Sequence, residues 1–316
     1  MKLVFLDRKT LAPEIELRAP SFPHRWEEHE ETAPHQVLER LQDTDIAIVN
    51  KVRLGADILS RLPRLKLVVI AATGSDNVDL EACRQAGIAV CNIRDYSKNS
   101  VPEHALALIL ALNRSLNAYR ASIVAGRWQQ SGQFCYFDYP VRDLAGQTLG
   151  LIGYGTIARE LEKLATALGM KVIVAARKGH PVSEGRVGFE QLLNDADVIS
   201  LHCPLNAETR HLIGERELKL MKSDALLVNV GRGGLVDEAA LLAALEQNRI
   251  GGAGFDVVTQ EPPAPDNPLM QALQYPNFIL TPHIAWASRN AMQRLADQLI
   301  DNIEAFVAGQ PQHRLV

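Results

Sequence analysis

A chain of 316 residues, 47% of them hydrophobic and 22% charged, is long enough for two globular domains with sizeable cores. Its formal net charge of −4 supplies no attraction for nucleic acid or for an anionic membrane surface. No apolar run has the length of a membrane span, Asp7 interrupts the opening before a secretory core can form, and Cys83, Cys91, Cys135 and Cys203 show no C-x-x-C spacing, so a soluble cytoplasmic protein without disulfides or bound metal is expected.

In chain order, short apolar strands are predicted over 2–6, 46–49, 67–70 and 89–91, with helices over 37–42 and 80–86 between them. Gly87 stops the second of these helices. Strands at this spacing with helical crossovers imply a parallel sheet covered on both faces. Pro102 opens a long helical stretch, where its missing N–H costs nothing, and one helix is predicted over 103–124. Residues 131–142 read as an irregular, aromatic-rich connection. The alternation then restarts with strands over 148–152, 171–175, 198–201, 225–229, 254–257 and 278–281, and a last helix over 289–307 stops at Gly309. Whole α/β units are doubled, which predicts two doubly wound parallel-sheet domains.

The first strand of the second half runs into Gly153-Tyr154-Gly155-Thr156-Ile157-Ala158, a G-x-G-x-x-A pattern between strand and helix. Gly153 permits a tight turn, Gly155 leaves room for a pyrophosphate, and Ala158 allows close packing of helix on strand. The N–H groups of Thr156 and Ile157 would then face phosphates at the positive end of the helix. The bland alternative is a glycine turn with no ligand. The next strand ends in Ala175-Ala176-Arg177-Lys178, without the carboxylate that ordinarily accepts a ribose 2′-OH. Ala176 removes repulsion of a 2′-phosphate and Arg177 with Lys178 supply cations for it, so NADPH is expected in preference to NADH, with NADH as a second cofactor. Two solvated surface cations are the competing explanation.

Three later segments end predicted parallel strands, where ligands bind in open α/β sheets: Val228 to Gly234 with Arg232, Gly254 to Pro262 with Glu261, and Leu280 to Trp286 with His283. Reduction of a 2-keto acid needs a cation for the carboxylate and a charged proton donor at the carbonyl oxygen. Arg232 offers the first and His283 the second, while Glu261 would favour the imidazolium. Taken singly, each has a structural explanation as a capping arginine, a loop glutamate or a packed histidine.

Together with residues 72–79 (Ala-Thr-Gly-Ser-Asp-Asn-Val-Asp) and Ser100-Val101-Pro102-Glu103-His104, these motifs resemble the D-isomer-specific 2-hydroxyacid dehydrogenase family over nearly the whole chain. The resemblance implies that Arg232, Glu261 and His283 are catalytic. It further implies a dinucleotide site that includes Val101, Tyr154, His202, Cys203, Pro204, Thr209, Val230, Gly231, Asp256, Ala285 and Trp286. Val101 and Val230 would pack on the nicotinamide and Asp256 accept its carboxamide, a structural hydrogen-bonding role being the alternative for Asp256. Thr73, Gly74 and Ser75 would hold the substrate carboxylate with their N–H groups. A Rossmann cofactor domain over 99–284 is expected to be inserted into a flavodoxin-like substrate domain, 1–98 plus 285–316, with the active site in the cleft and closure on binding. A homodimer is implied by the same resemblance.

Lys51 follows a strand of the first half, where it either favours a small polar acid or is merely solvated. Trp286, with Trp128, Phe134 and Phe137 on the connecting arm, is similar to the bacterial glycerate dehydrogenase (hydroxypyruvate reductase) branch, although these aromatics equally suit a dimer interface. Reduction of hydroxypyruvate to D-glycerate is therefore expected, with glyoxylate to glycolate beside it. D-lactate dehydrogenase is an alternative within the family. Phosphoglycerate dehydrogenase is disfavoured because no regulatory domain follows residue 316, and Glu261 argues against a formate dehydrogenase. A dinucleotide-sensing corepressor on the same fold is the alternative from another class.

Overall fold

In the computed structural model, which describes residues 1–316, the apolar runs of the sequence become two parallel sheets, one in each of two units. The first unit comprises Met1–Ser97 and Ala287–Val316, the second Lys98–Trp286.

In the first unit, β1 (Lys2–Phe5), β2 (Arg25–Glu28), β3 (Ile46–Val49), β4 (Leu67–Ile70) and β5 (Ala89–Cys91) form an all-parallel sheet in the order β2-β1-β3-β4-β5. This is the flavodoxin-like order. Every residue of β3 and β4 is buried, which explains why they read as unbroken apolar runs rather than alternating ones. The strand β2, Arg-Trp-Glu-Glu, escaped the sequence analysis because it is an edge strand with no buried residue and no apolar run. Helices α1 (Val37–Leu41), α2 (Ala56–Leu59) and α3 (Leu80–Ala86) cross between strands. The last is capped by Asp79, which accepts from the Ala82 N–H at 2.9 Å, and by Gly87 at φ 68°.

The second unit opens with α4 (Ser100–Asn113), α5 (Leu116–Val124) and α6 (Arg127–Ser131). The single helix expected over 103–124 is broken at Ser115, which is left-handed at φ 49° and donates its hydroxyl to Pro140 O at 2.7 Å. The chain returning through residues 131–142 also takes up the end of α4, Arg142 N–H bonding Asn113 O at 2.9 Å. Periodicity in one continuous apolar stretch could not reveal this tertiary break.

The sheet of this unit contains β6 (Thr148–Ile152), β7 (Lys171–Val174), β8 (Val198–Leu201), β9 (Leu226–Asn229), β10 (Gly252–Phe255) and β11 (Phe278–Leu280), with α7 (Thr156–Ala167), α8 (Phe189–Asp195), α9 (Glu215–Leu220), α10 (Glu238–Glu246) and α11 (Pro268–Ala272) between them. The order is β11-β10-β9-β8-β6-β7, all parallel. A parallel bridge from Ala175 to Val187 continues it beyond β7. Counting that bridge as a third strand gives 3-2-1-4-5-6-7, the dinucleotide-binding order 3-2-1-4-5-6 with one strand added at its far edge, and its switch point lies between β6 and β8. Helix α4 buries Ala105, Leu108, Ile109 and Leu112 on this sheet so closely that a Cβ at Gly254 would meet Leu108 at 3.1 Å.

The chain then returns to the first unit as α12 (Arg289–Val307), whose apolar stripe, including Leu295, Leu299 and Ile303, is fully buried. Leu315 N–H bonds Val90 O at 2.7 Å, and Arg18 pairs with Glu304 and Asp301 at 2.7 Å. No helix is long and apolar enough to cross a membrane, and no three His, Cys, Asp or Glu residues are grouped to hold a metal.

Candidate active site

At the switch point of the second unit, the loops after β6 and β8 touch. A Cβ on Gly153 would lie 2.6 Å from the His202 carbonyl carbon and the Cys203 nitrogen, and φ there is 88°, so only glycine is tolerated. Gly155 is different, since a Cβ there would meet nothing within 4 Å. It precedes α7, whose N-terminus has no side-chain cap, leaving the N–H groups of Thr156 and Ile157 for an anion. Ala158 is fully buried beneath them. This cradle suits the pyrophosphate of a dinucleotide, which it would hold through backbone donors.

Around the cradle, Tyr154 donates its hydroxyl to Glu162. Burial pushes the His202 imidazole down to about 4, so the ring is neutral, with Nε2 2.8 Å from the Ser200 hydroxyl. The Cys203 thiol is pushed up by burial, which disfavours its thiolate. Thr209 uses its hydroxyl within its own loop, donating to Pro204 O at 2.7 Å and accepting from Asn206 N–H at 2.8 Å. Val101, Val230 and Ala285 join one apolar cluster, and Trp286 follows half-exposed.

At the tip of β7 the two expected phosphate cations are held differently. Arg177 is exposed beside buried Ala176, and the Lys178 ammonium, on a side chain 37% exposed, lies 3.0 Å from Glu217 Oε1 and 3.3 Å from Leu212 O. Glu217 is buried and has both Lys178 and, at 3.3 Å, Arg216 as ion partners.

Arg232, Glu261 and His283 follow β9, β10 and β11, three adjacent strands of the sheet. Buried Asn229, at the end of β9, shapes the Arg232 loop by accepting from Gly231 N–H at 3.1 Å and donating to Arg232 O at 2.9 Å. The Arg232 Nη1 itself bonds Gly231 O at 2.9 Å. Gly233 presses on the strand-end loop next door, where a Cβ would overlap Val258 O at 1.9 Å. From that loop Glu261 accepts Val258 N–H at 3.2 Å with one oxygen and faces His283 Nδ1 at 2.6 Å with the other. Nδ1 is thereby tied to a carboxylate, and Nε2 is the ring nitrogen outside that pair.

The His283 backbone is itself held in a left-handed conformation, φ 55°, by its surroundings. Asp256, 1% exposed, accepts from the Ile284 and Ala285 N–H groups at 2.9 and 2.8 Å and from the Thr281 hydroxyl at 2.5 Å. Ser100 donates to Ala285 O at 2.5 Å, and His104 Nε2 meets Thr281 Oγ1 at 2.9 Å. The carboxylate of Asp256 thus serves the His283 segment, the structural role left open for it. Ser100 and His104 lay in a motif singled out from the sequence without a role, and Asn229 and Thr281 were not singled out at all. Each does its work on backbone or on another side chain, which no spacing rule reports.

In the first unit, Lys51 is exposed on a loop that Asp7 fixes, its carboxylate accepting the N–H groups of Asn50, Lys51 and Val52 at 2.6 to 3.1 Å. Thr73 exchanges bonds with the next strand end, donating to Ile93 O and accepting from Asn92 Nδ2, each at 2.8 Å. Gly74 and Ser75 follow it half-exposed.

Residues 106–285 match the family described as D-isomer specific 2-hydroxyacid dehydrogenase, NAD binding domain. The chain is 53% identical to a glycerate dehydrogenase of Methylorubrum extorquens over 313 residues, covering 99% of this chain and 98% of that one. It is 36% identical to a hydroxypyruvate reductase of Blautia hydrogenotrophica, over 89% of this chain and 87% of the relative. Among solved structures, an acyclic imino acid reductase in complex with NADPH and D-Arg superposes with a TM-score of 0.82, at 31% identity across 100% of both chains.

Proposed function

Because this chain belongs to the D-isomer specific 2-hydroxyacid dehydrogenase family and is a nicotinamide-dependent enzyme of that kind, we propose that its reaction is reduction of hydroxypyruvate to D-glycerate with NADPH, with glyoxylate to glycolate as a second activity. The observation that carries the chemistry is the His283–Glu261 pair, in which Nδ1 is anchored at 2.6 Å. A bound dihydronicotinamide supplies the hydride to the carbonyl carbon. His283 Nε2 gives its proton to the carbonyl oxygen, so the C=O becomes CH–OH, and Glu261 compensates the imidazolium before the transfer. Arg232 grips the substrate carboxylate with its planar fork and polarises the adjacent carbonyl. We assign Lys51, Thr73, Gly74 and Ser75 to recognition of the small polar acid.

Support for the substrate comes from the glycerate dehydrogenase and hydroxypyruvate reductase relatives, and support for NADPH from Ala176 and Arg177 at the tip of β7. We also propose a homodimer formed through the arm that follows α5. Trp128, Phe134 and Phe137 are 46, 90 and 84% exposed there, far more apolar surface than a lone chain needs to show water. The arm is held ready: Tyr119 donates to Tyr139 O at 2.9 Å, Tyr136 to Ser122 Oγ at 3.0 Å, and Arg127 forks onto Asp138.

The test is the loss of nicotinamide absorbance with NADPH and NADH, each against hydroxypyruvate, glyoxylate and pyruvate. Fast oxidation of NADPH by hydroxypyruvate, slower by glyoxylate and slowest by pyruvate, is expected. Dinucleotide binding without turnover of any acid would refute the proposal in favour of a sensor. Turnover only with an added amine would point instead to imine reduction.

A further inference from the structure

Lys178, though exposed, is paired with Glu217, while Arg177 stands exposed beside it at the tip of β7. A second guanidinium stands there that sequence spacing did not indicate. Val187 N–H bonds Val174 O at 2.9 Å and Ala176 N–H bonds Val187 O at 2.8 Å, which fastens the segment of Arg186 along the outer edge of β7. From this segment Arg186 Nη1 reaches Ala175 O at 2.9 Å, and its Cζ lies 5.8 Å from the centroid of the Tyr154 ring. Tyr154 belongs to the glycine loop, and Arg159 at the start of α7 approaches the same ring at 5.4 Å. Glu162, bonded by the Tyr154 hydroxyl, is the carboxylate of this cluster, which keeps a net positive charge with both arginines.

Arg186 therefore bridges the two elements that take the ribose and the pyrophosphate in a dinucleotide fold, the tip of the second strand and the glycine loop. It also has the donors for a phosphate. Of its five N–H groups one is committed to Ala175, and a guanidinium fork matches phosphate oxygens better than an ammonium does.

We propose that Arg186 and Arg177 together form the subsite for the ribose 2′-phosphate, with Lys178 a strut that holds the loop rather than a ligand. The inference rests on the NADPH preference proposed above and names a residue for it. Lys178 is held where it is by three contacts, the pair with Glu217, the bond to Leu212 O and its place 5.6 Å from the Phe189 ring, while Glu217 has Arg216 as a second cation at 3.3 Å.

The experiment is calorimetric titration of the purified protein with adenosine 2′,5′-bisphosphate and with AMP, repeated for Arg186→Gln and Lys178→Met, with steady-state kcat/KM for NADPH and NADH alongside. Wild type should prefer the bisphosphate. Arg186→Gln should lose about tenfold or more of bisphosphate affinity while AMP binding and NADH kinetics stay, the worth of a charge-assisted phosphate contact. Lys178→Met should lower the melting temperature and leave the bisphosphate preference in place. If wild type does not prefer the bisphosphate, the NADPH assignment falls and the subsite with it. If wild type prefers it and Arg186→Gln does so equally, the assignment to Arg186 alone is overturned. A collapse of the preference in Lys178→Met would overturn the strut.

Discussion

Acid should weaken this protein through His202, and the size of the effect follows from its environment. Burial lowers the folded-state value to about 4 from the ordinary 6.5, so between these values the unfolded chain binds a proton at this position that the folded chain refuses. Stability linked to His202 is therefore fully present above about pH 6.5 and is lost as pH falls through the window down to about 4. Integrating the difference, roughly 2 kcal/mol is gone at pH 5 relative to pH 7, and about 3 kcal/mol once the folded state also titrates. The perturbation is His202→Gln, whose amide retains a partner for the Ser200 hydroxyl but does not titrate. Urea unfolding followed by tryptophan fluorescence at pH 7 and pH 5, without dinucleotide, measures the loss in each protein. All other groups titrate alike in both, so the wild type should lose about 2 kcal/mol more than the variant. Equal losses would refute the claim that this ring is buried neutral beside the glycine loop.

Two further outcomes are expected. Asp256→Asn places an amide N–H where one of the Ile284 or Ala285 N–H groups now donates, replacing a charge-assisted bond by an unsatisfied buried donor at a cost of about 3 kcal/mol; turnover should fall sharply while AMP affinity stays, and an unchanged kcat would remove Asp256 from the support of His283. Phe134→Glu with Phe137→Glu should convert a dimer to a monomer in sedimentation equilibrium, since each places a charge on a surface now 90 and 84% exposed in the single chain; an unshifted mass would locate the interface elsewhere or abolish it.

The α/β architecture was legible because fully buried parallel strands leave the plainest mark a sequence carries, four or five apolar residues bounded by turns. The strands β3, β4 and β8 have no exposed residue. The edge strand β2 left no such mark, and the break at Ser115 arises from a contact with Pro140 that lies 25 residues away. At the candidate site, Arg232, Glu261, His283 and the glycine loop could be nominated from the sequence because side chains that meet ligands are restricted in type. Lys178 and Arg186 were not distinguishable from the sequence. One basic residue next to an arginine pairs with a buried glutamate 39 positions on, while the other, eight places beyond, reaches back to Ala175 just past β7. Spacing along the chain says nothing of either partner.

A common device underlies both units. Asp7 stands just past β1 and gathers the N–H groups of residues 50–52 at the end of the neighbouring strand β3. Asp256 stands just past β10 and gathers those of Ile284 and Ala285 beyond its neighbour β11. Loops that leave the carboxyl ends of parallel strands carry N–H groups the ladder no longer satisfies, and a hydroxyl or amide accepts too few of them. One ionised carboxylate accepts several, which is what makes its own burial tolerable, 6% exposed for Asp7 and 1% for Asp256. The geometry this imposes is tight: the loop next to Asp256 carries His283 at φ 55°, in the left-handed region that residues other than glycine enter uncommonly. A residue placed for chemistry on a loop needs such an anchor more than one on a strand does, because the ladder cannot hold it. In each unit, then, a buried acid just past one strand holds still the backbone of the loop beyond the adjacent strand, the loop that carries Lys51 in the first unit and His283 in the second.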